Sequence, residues 1–351
     1  MKTTGYAAPA AGAPLAPWTF ERRAPRANDV VMEILYCGIC HSDLHMAHND
    51  WGASRYPLVP GHEIVGRVIA VGSDVTKFRV GDHGAVGCMV DSCLECDQCR
   101  AGEEQFCREG NIQTYSSRDR TDGSLTQGGY SKHIVVREEF VCTLADGLDL
   151  SRAAPILCAG ITTWVPLRHW NVGPSSRVGV IGLGGLGHMA VKLASALGAK
   201  VTVISHSPGK REKALETGAD AFLLSSDDAA MAQAANGFDL IIDTVPVAHP
   251  LDRYTRLLDI DGTLVIVGQV GPWGEVNGAP LLMGRRRIAG SLIGGMRETQ
   301  EVLDFCAREG ILPECQMIRP DEINDAFARL EKGDLPYRFV MDMAALPAAQ
   351  D

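Results

Sequence analysis

The stretch Arg177-Val178-Gly179-Val180-Ile181-Gly182-Leu183-Gly184-Gly185-Leu186-Gly187-His188-Met189-Ala190 decides how this chain is read. An apolar run of strand length stops at Gly182, and the small residues over 187–197 suit a helix. Between them Gly182, Gly184 and Gly187, with Gly185 and Leu186 in the same turn, have the spacing that lets backbone amides approach a pyrophosphate on a helix N-terminus. A glycine triplet alone is weak evidence; its place between strand and helix gives it weight. The alternation continues downstream, with strands expected at 200–204, 221–224, 240–243 and 263–267 and a helix over 209–216. That pattern predicts a doubly wound parallel sheet, an α/β dinucleotide-binding unit. The second strand decides which dinucleotide. Its end reads Ile204-Ser205-His206-Ser207-Pro208-Gly209-Lys210-Arg211, with no carboxylate before Glu212 to accept from a ribose 2'-hydroxyl. Ser205, Ser207, Lys210 and Arg211 suit a 2'-phosphate instead, so NADP(H) is expected over NAD.

Upstream the texture differs. Residues 28 to 150 are Gly-punctuated and rich in β-branched side chains, with strand-like runs at 30–36, 64–71 and 133–136. A strand-rich domain is expected there. Beyond the α/β part, 298–309 and 322–331 read as amphipathic helices and 338–341 as a last strand that returns to the first domain. The expected division is therefore 1–157 with 296–351, interrupted by 158–295.

The 351 residues fit about two domains. With 33 basic against 43 acidic side chains the formal charge is -10, which argues against a phosphate-neutralising surface. The basic run Arg285-Arg286-Arg287 is read as a solvated face, so no nucleic-acid partner is expected. No stretch of eighteen apolar residues could span a membrane. Pro9, Pro14 and Pro17 interrupt the opening segment where a signal peptide needs a continuous apolar core. A cytoplasmic protein is expected.

Eleven cysteines in a reducing compartment point to metal or thiol chemistry rather than to disulfides. Cys93, Cys96, Cys99 and Cys107 have the spacing that wraps one tetrahedral zinc in a closed, structural site. An iron–sulfur cluster would use the same ligands, but the rest of the chain offers no site for an electron-transfer partner. A second concentration of metal- and proton-capable groups runs through Cys37-Gly-Ile-Cys40-His41-Ser42-Asp43-Leu44-His45 and Gly61-His62-Glu63.

Taken in order, Cys-Gly-Ile-Cys-His-Ser-Asp from 37, Pro-Gly-His-Glu from 60, the four-cysteine lobe, Leu157-Cys158-Ala159-Gly160 and Gly182 to Gly187 resemble zinc-dependent medium-chain alcohol dehydrogenases. The resemblance is to the cinnamyl alcohol dehydrogenase type and its bacterial NADP(H)-linked aldehyde reductase relatives. Ser291-Leu-Ile-Gly-Gly295 and Tyr337-Arg338-Phe339-Val340 extend it over essentially the whole chain. It implies a GroES-like β-rich catalytic domain joined to a Rossmann coenzyme domain, with the active zinc in the cleft between them. It also implies a catalytic zinc held by Cys40, His62 and Cys158, two zinc ions per chain in all, and Asp43 as the partner that orients His62. Glu63 would either approach the metal or pair with a buried arginine. Ser42 and His45 resemble the family's proton relay, and Arg338 its pyrophosphate contact; Lys210 is the safer choice for the 2'-phosphate. Trp51 and Trp164 either line the substrate pocket or are core. Cys37, Cys88, Cys142, Cys306 and Cys315 are expected to be ordinary small apolar residues. The activity implied is hydride transfer between NADP(H) and primary alcohols or aldehydes, in a homodimer joined through edge strands near 288–293. Two alternatives stand beside it. A polyol dehydrogenase of the same superfamily would typically have Glu in place of Cys158 and lack a complete lobe. A non-catalytic NADP(H)-binding redox sensor would be expected to lack a zinc ligand or a relay residue.

Overall fold

The computed structural model describes residues 1–268, 271–333 and 337–346. The chain forms two compact units: Met1–Cys158 together with the chain from Gly294 onward, and Ala159–Ile293.

The first unit is built around strand Asp29–Ile39, eleven residues in which Val30, Val31, Met32, Ile34, Cys37 and Ile39 are buried. It pairs antiparallel with Ile64–Val71, His133–Arg137 and Arg338–Asp342 within a seven-stranded sheet. In that sheet Arg338–Asp342 lies between Asp29–Ile39 and Cys315–Ile318, so a late strand fills an interior position. The expected strands at 30–36, 64–71, 133–136 and 338–341 are all found, the second with the same bounds and the other three longer. A hairpin of Lys2–Ala7 with Ala16–Glu21 was not expected from that opening Ala/Pro/Gly mixture. Its Pro17 sits in a two-stranded sheet, where an edge position tolerates the missing N–H. Strand Asp29–Ile39 runs directly into helix His41–His48 through Cys40, which is extended at φ −111°, ψ 154°. This junction places the first motif at the site.

The second unit is an all-parallel six-stranded sheet in the order Ala221–Leu224, Lys200–Ser205, Arg177–Ile181, Phe238–Asp243, Leu258–Ile266, Arg287–Gly290. Ile181, Ile204, Ile241, Leu258, Leu264 and Ile266 form much of its core. Chain order moves outward from Arg177–Ile181 in one direction, then returns to its other side. The glycine turn therefore leaves the sheet at the topological switch point, where open parallel sheets bind ligands. Gly182 has φ +87°, and a Cβ on Gly187 would lie 2.2 Å from the Gly182 carbonyl oxygen, so both glycines are required by backbone geometry. Gly184 and Gly185 complete the turn, and Leu186 precedes helix Gly187–Ala196. The expected helix over 209–216 is a 3-10 turn, Pro208–Lys210, followed by the helix Arg211–Thr217.

Candidate active site

Helix His41–His48 begins with a carboxylate at its third position. Asp43 is fully buried, and its oxygens accept hydrogen bonds from the Cys40 amide at 3.0 Å, the Gly61 amide at 3.0 Å and the Tyr130 hydroxyl at 2.9 Å. His62 Nδ1 lies 3.1 Å from the same carboxylate. An Nδ1–H donated to Asp43 leaves Nε2 as the free ring nitrogen. Burial works against a charged imidazole here, yet Asp43 and the neighbouring thiols raise the His62 pKa well above its ordinary value. Both nearby tyrosines, Tyr115 and Tyr130, are held un-ionised by burial and by Asp43.

Cys40, His62, Glu63 and Cys158 bring one donor atom each to within 4.8 Å of one another, and all four are buried. A tetrahedral zinc with Zn–S bonds of about 2.3 Å holds two sulfurs about 3.8 Å apart. The Cys40 and Cys158 sulfurs are 3.7 Å apart. Contact with Cys158 holds the Cys40 thiol well below the usual range and pushes Cys158 up, as expected of two thiols competing for one proton. The donor set thus fits a zinc in chemistry and spacing.

Glu63 meets both readings the sequence left open. It is one of the four donors, and its carboxylate lies 3.0 Å from Arg338, itself only 3% exposed. Burial raises the Glu63 pKa to about 8 against the opposing pull of Arg338. Nη2 of Arg338 is the atom that faces Glu63, whereas its Nε has no hydrogen-bond partner among the described residues. Gly38 makes room for the pair, since a Cβ there would lie 2.0 Å from Glu63 Oε2.

On the same helix Ser42 places its hydroxyl 3.6 Å from the Cys40 sulfur. His45, one turn further, directs Nδ1 to Asp50 at 2.7 Å and packs its ring 5.2 Å from that of Trp51. Asp50 was missed in the sequence because no helical period links it to His45. Asn49 ends the helix in a left-handed conformation, φ 63°, and that turn folds Asp50 back so that its amide donates to the His45 carbonyl at 3.0 Å. Tyr115, whose ring lies 5.8 Å from that of His62, and Tyr130 were missed for a similar reason: they arrive from distant segments.

Cys88 departs from expectation. Its thiol interacts with that of Cys158 and is lowered chiefly by that contact, so it is not merely a small apolar residue. Cys37, Cys142 and Cys306 are fully buried, as expected of core residues. Trp164, in the second unit, is 1% exposed and belongs to the core rather than to an open pocket, whereas Trp51 is 40% exposed.

In the lobe the sulfurs of Cys93, Cys96, Cys99 and Cys107 also lie within 4.8 Å of one another, with Cys93 and Cys99 3.8 Å apart. Backbone amides of Cys93, Cys96 and Arg108 point at Cys107, Cys93 and Cys96 sulfurs, each at 3.4 Å. The Arg108 and Cys99 amides bring Cys96 down to about 6, while burial sends Cys99 up to about 12. Four converging sulfurs with amide support fit a closed zinc site.

In the second unit the Ser205 hydroxyl accepts from the Ser207 amide at 3.2 Å at the tip of strand Lys200–Ser205. Lys210 Nζ donates to the Leu183 carbonyl at 3.1 Å, and the Arg211 guanidinium lies over the Phe222 ring, 4.9 Å from its centroid.

Two family models match the chain: the alcohol dehydrogenase GroES-like domain over residues 26–146 and the zinc-binding dehydrogenase over 185–308. NADP-dependent alcohol dehydrogenase C 1 of Mycolicibacterium smegmatis is 52% identical, with 98% of each chain covered. A probable cinnamyl alcohol dehydrogenase of Aralia cordata is 49% identical over 100% of this chain and 98% of its own length. Among solved structures, a cinnamyl alcohol dehydrogenase of Sorghum bicolor superposes with a TM-score of 0.96 at 43% identity, covering 100% of both chains. The enzyme of the same type from Helicobacter pylori, complexed with NADP(H), gives 0.90 at 38% identity over 98% of this chain and 99% of its own. With its α/β architecture of a GroES-like and a Rossmann part, the chain belongs to the zinc-type medium-chain alcohol dehydrogenases, in the cinnamyl alcohol dehydrogenase group.

Proposed function

We propose that this protein is an NADP(H)-dependent, two-zinc alcohol dehydrogenase and aldehyde reductase acting on primary alcohols and aldehydes, aliphatic or aromatic. The observation that carries the reading is the buried set Cys40, His62 and Cys158, with His62 oriented by Asp43. These three hold the catalytic zinc, and Cys93, Cys96, Cys99 and Cys107 hold the structural one. When bound, zinc supplies a Lewis acid for the substrate oxygen, and NADP(H) supplies or accepts the hydride.

The rest of the chemistry belongs to the chain's own residues. The Ser42 hydroxyl takes the proton from, or returns it to, the substrate oxygen. His45 carries it towards water: Asp50 holds Nδ1, leaving Nε2 to exchange the proton, and the imidazole side chain is 27% exposed. Glu63 and Arg338 form a buried ion pair at the site, and Arg338 has its Nε–H left for the cofactor pyrophosphate. Gly182, Gly184, Gly185, Leu186 and Gly187 form the pyrophosphate turn, and Ser205, Ser207, Lys210 and Arg211 form the 2'-phosphate side.

Residues 1–157 with 296–351 act as the catalytic domain and 158–295 as the coenzyme domain. We also infer a homodimer. Among the described residues strand Arg287–Gly290 is paired on one side only, and Leu282 and Met283 in the preceding helix are 83% and 87% exposed. A cytoplasmic site of action is supported by eleven free cysteines. Among the described residues no helix is long and apolar enough to cross a membrane.

Steady-state kinetics across aliphatic and aromatic aldehydes with NADPH and NADH, together with metal analysis, tests the reading. About two zinc per chain with aldehyde-dependent NADPH oxidation is expected. Two zinc without turnover across the panel would refute the enzymatic assignment in favour of a sensor.

A further inference from the structure

Asp43 divides its two oxygens between two tasks. Oδ1 accepts from the Gly61 amide at 3.0 Å and faces His62 Nδ1 at 3.1 Å, while Oδ2 accepts from the Cys40 amide at 3.0 Å and from the Tyr130 hydroxyl at 2.9 Å. Cys40, Gly61 and His62 belong to the two motifs that carry the metal-capable donors. Tyr130 comes from elsewhere, 87 residues beyond Asp43. Burial and the Asp43 charge keep its phenol un-ionised, so the hydroxyl acts as a donor to the carboxylate.

The backbone is built to deliver that hydroxyl. The amides of Gly128, Gly129 and Tyr130 donate to the carbonyls of Val59, Gly61 and Pro60 at 2.7, 2.8 and 3.0 Å, which lays the segment bearing the phenol along the segment that leads into His62. A Cβ on Gly128 would lie 2.3 Å from the Pro60 carbonyl oxygen, and one on Gly61 would lie 2.6 Å from the Tyr130 ring. Glycine at both positions lets the ring in. The ring is 1% exposed and packs against Phe327, with centroids 6.5 Å apart. From the opening hairpin the Tyr6 amide donates to the Tyr130 carbonyl at 2.8 Å. A phenylalanine would fill the same space and keep the same backbone bonds, and it would lose only the hold on Oδ2. Tyr115, the other phenol beside Asp43, has its ring 5.8 Å from that of His62 itself, whereas Tyr130 reaches the imidazole through Asp43.

We propose that Tyr130 is a positioning residue of the catalytic metal site, whose hydroxyl fixes the rotation of the Asp43 carboxylate and with it the direction in which His62 presents Nε2. This rests on the reading of Cys40, His62 and Cys158 as zinc ligands. Without the phenol, Oδ2 keeps one amide donor inside a dry core, and the carboxylate turns to regain a second partner, carrying the imidazole with it.

The test is zinc release from the holoenzyme to a chromophoric chelator. The wild type should release about two zinc per chain, and the one absent from Cys158→Ala is the catalytic ion. Tyr130→Phe should hold that ion about fivefold more weakly, the scale of one buried hydrogen bond to a charged group, with the lobe ion unaffected. The visible absorption of Co(II) placed in the same site should shift as well, because its bands follow ligand geometry. Since Tyr130 acts through Asp43, the substitution should change nothing further in an Asp43→Asn background. Wild-type affinity at the catalytic site, a loss shared equally by the lobe, or the same loss on top of Asp43→Asn overturns the role of Tyr130. A wild-type protein that releases the lobe ion alone overturns the catalytic-zinc reading and this proposal with it.

Discussion

Asp43 is a buried carboxylate surrounded by four donors, and the His62 imidazole is one of them. Removing its charge while keeping its shape should leave the helix start in place and disturb mainly the imidazole. Asp43→Asn is expected to weaken zinc binding by about 10–100-fold, the usual scale for a partner of a ligating histidine, as measured by competition with a chromophoric chelator. Cys158→Ala should abolish turnover and reduce zinc to about one per chain, with NADPH still bound and the circular dichroism of a folded chain. Full activity in that variant would remove Cys158 from the catalytic set. Ser205→Asp supplies the acceptor that the second strand lacks and should shift the NADPH/NADH ratio of kcat/KM towards NADH; an unchanged ratio would contradict the reading of that strand end. Much of the site was legible at this scale because Cys40, His62 and the lobe cysteines are short-range motifs. Asp50, Tyr115, Tyr130 and Cys88 were not, because a left-handed turn or a long loop brings them in.

Elements carry the next set of consequences. The glycine turn has so little room that a methyl group on Gly187 would collide with the Gly182 carbonyl. Gly187→Ala is expected to cost about 1–3 kcal/mol in stability and to weaken NADPH binding, measured by denaturant unfolding and by titration. At the end of strand Phe238–Asp243, His249 Nε2 lies 3.1 Å from the buried Asp243 carboxylate, and Nδ1 lies 2.9 Å from the Val247 carbonyl. Asp243, chiefly, raises the His249 pKa. Below the ordinary imidazole value of about 6.5 the folded and unfolded chains are both protonated, and the full stabilisation is present. As pH rises through the raised folded value, the folded chain loses the proton and the stabilisation disappears. Unfolding free energy should therefore fall above neutral pH, and His249→Gln should flatten that part of the profile. The parallel strands were readable from their apolar runs. Boundaries drifted where 3-10 turns take over, as at Pro208–Lys210, because a proline and a glycine leave the hydrophobic period no hold on the backbone.

At the scale of the whole molecule, one sheet is assembled from both ends of the chain. Strand Arg338–Asp342 sits between Cys315–Ile318 and Asp29–Ile39, although 159–293 forms a separate compact unit in between. Sequence texture suggested the return of this strand; its interior place in the sheet depends on long-range pairing, which no local pattern encodes. Stability should respond to ligand as a whole. NADPH at about a hundred times its Kd should stabilise the chain by about 2.7 kcal/mol, seen as a rise in Tm, with NADH at the same concentration giving less. The same connectivity sets an order of events on the ribosome, where domains fold as they emerge. Cys40, His62 and Cys158 have all been synthesised once the first 158 residues are out, whereas Arg338 follows only after the intervening unit is complete. Until then Glu63 has no guanidinium beside it, and the strand that fills the sheet's interior gap is missing. A nascent chain halted between the two would be able to capture metal in a half-closed sheet, and release from that vulnerable state would come with the last strand.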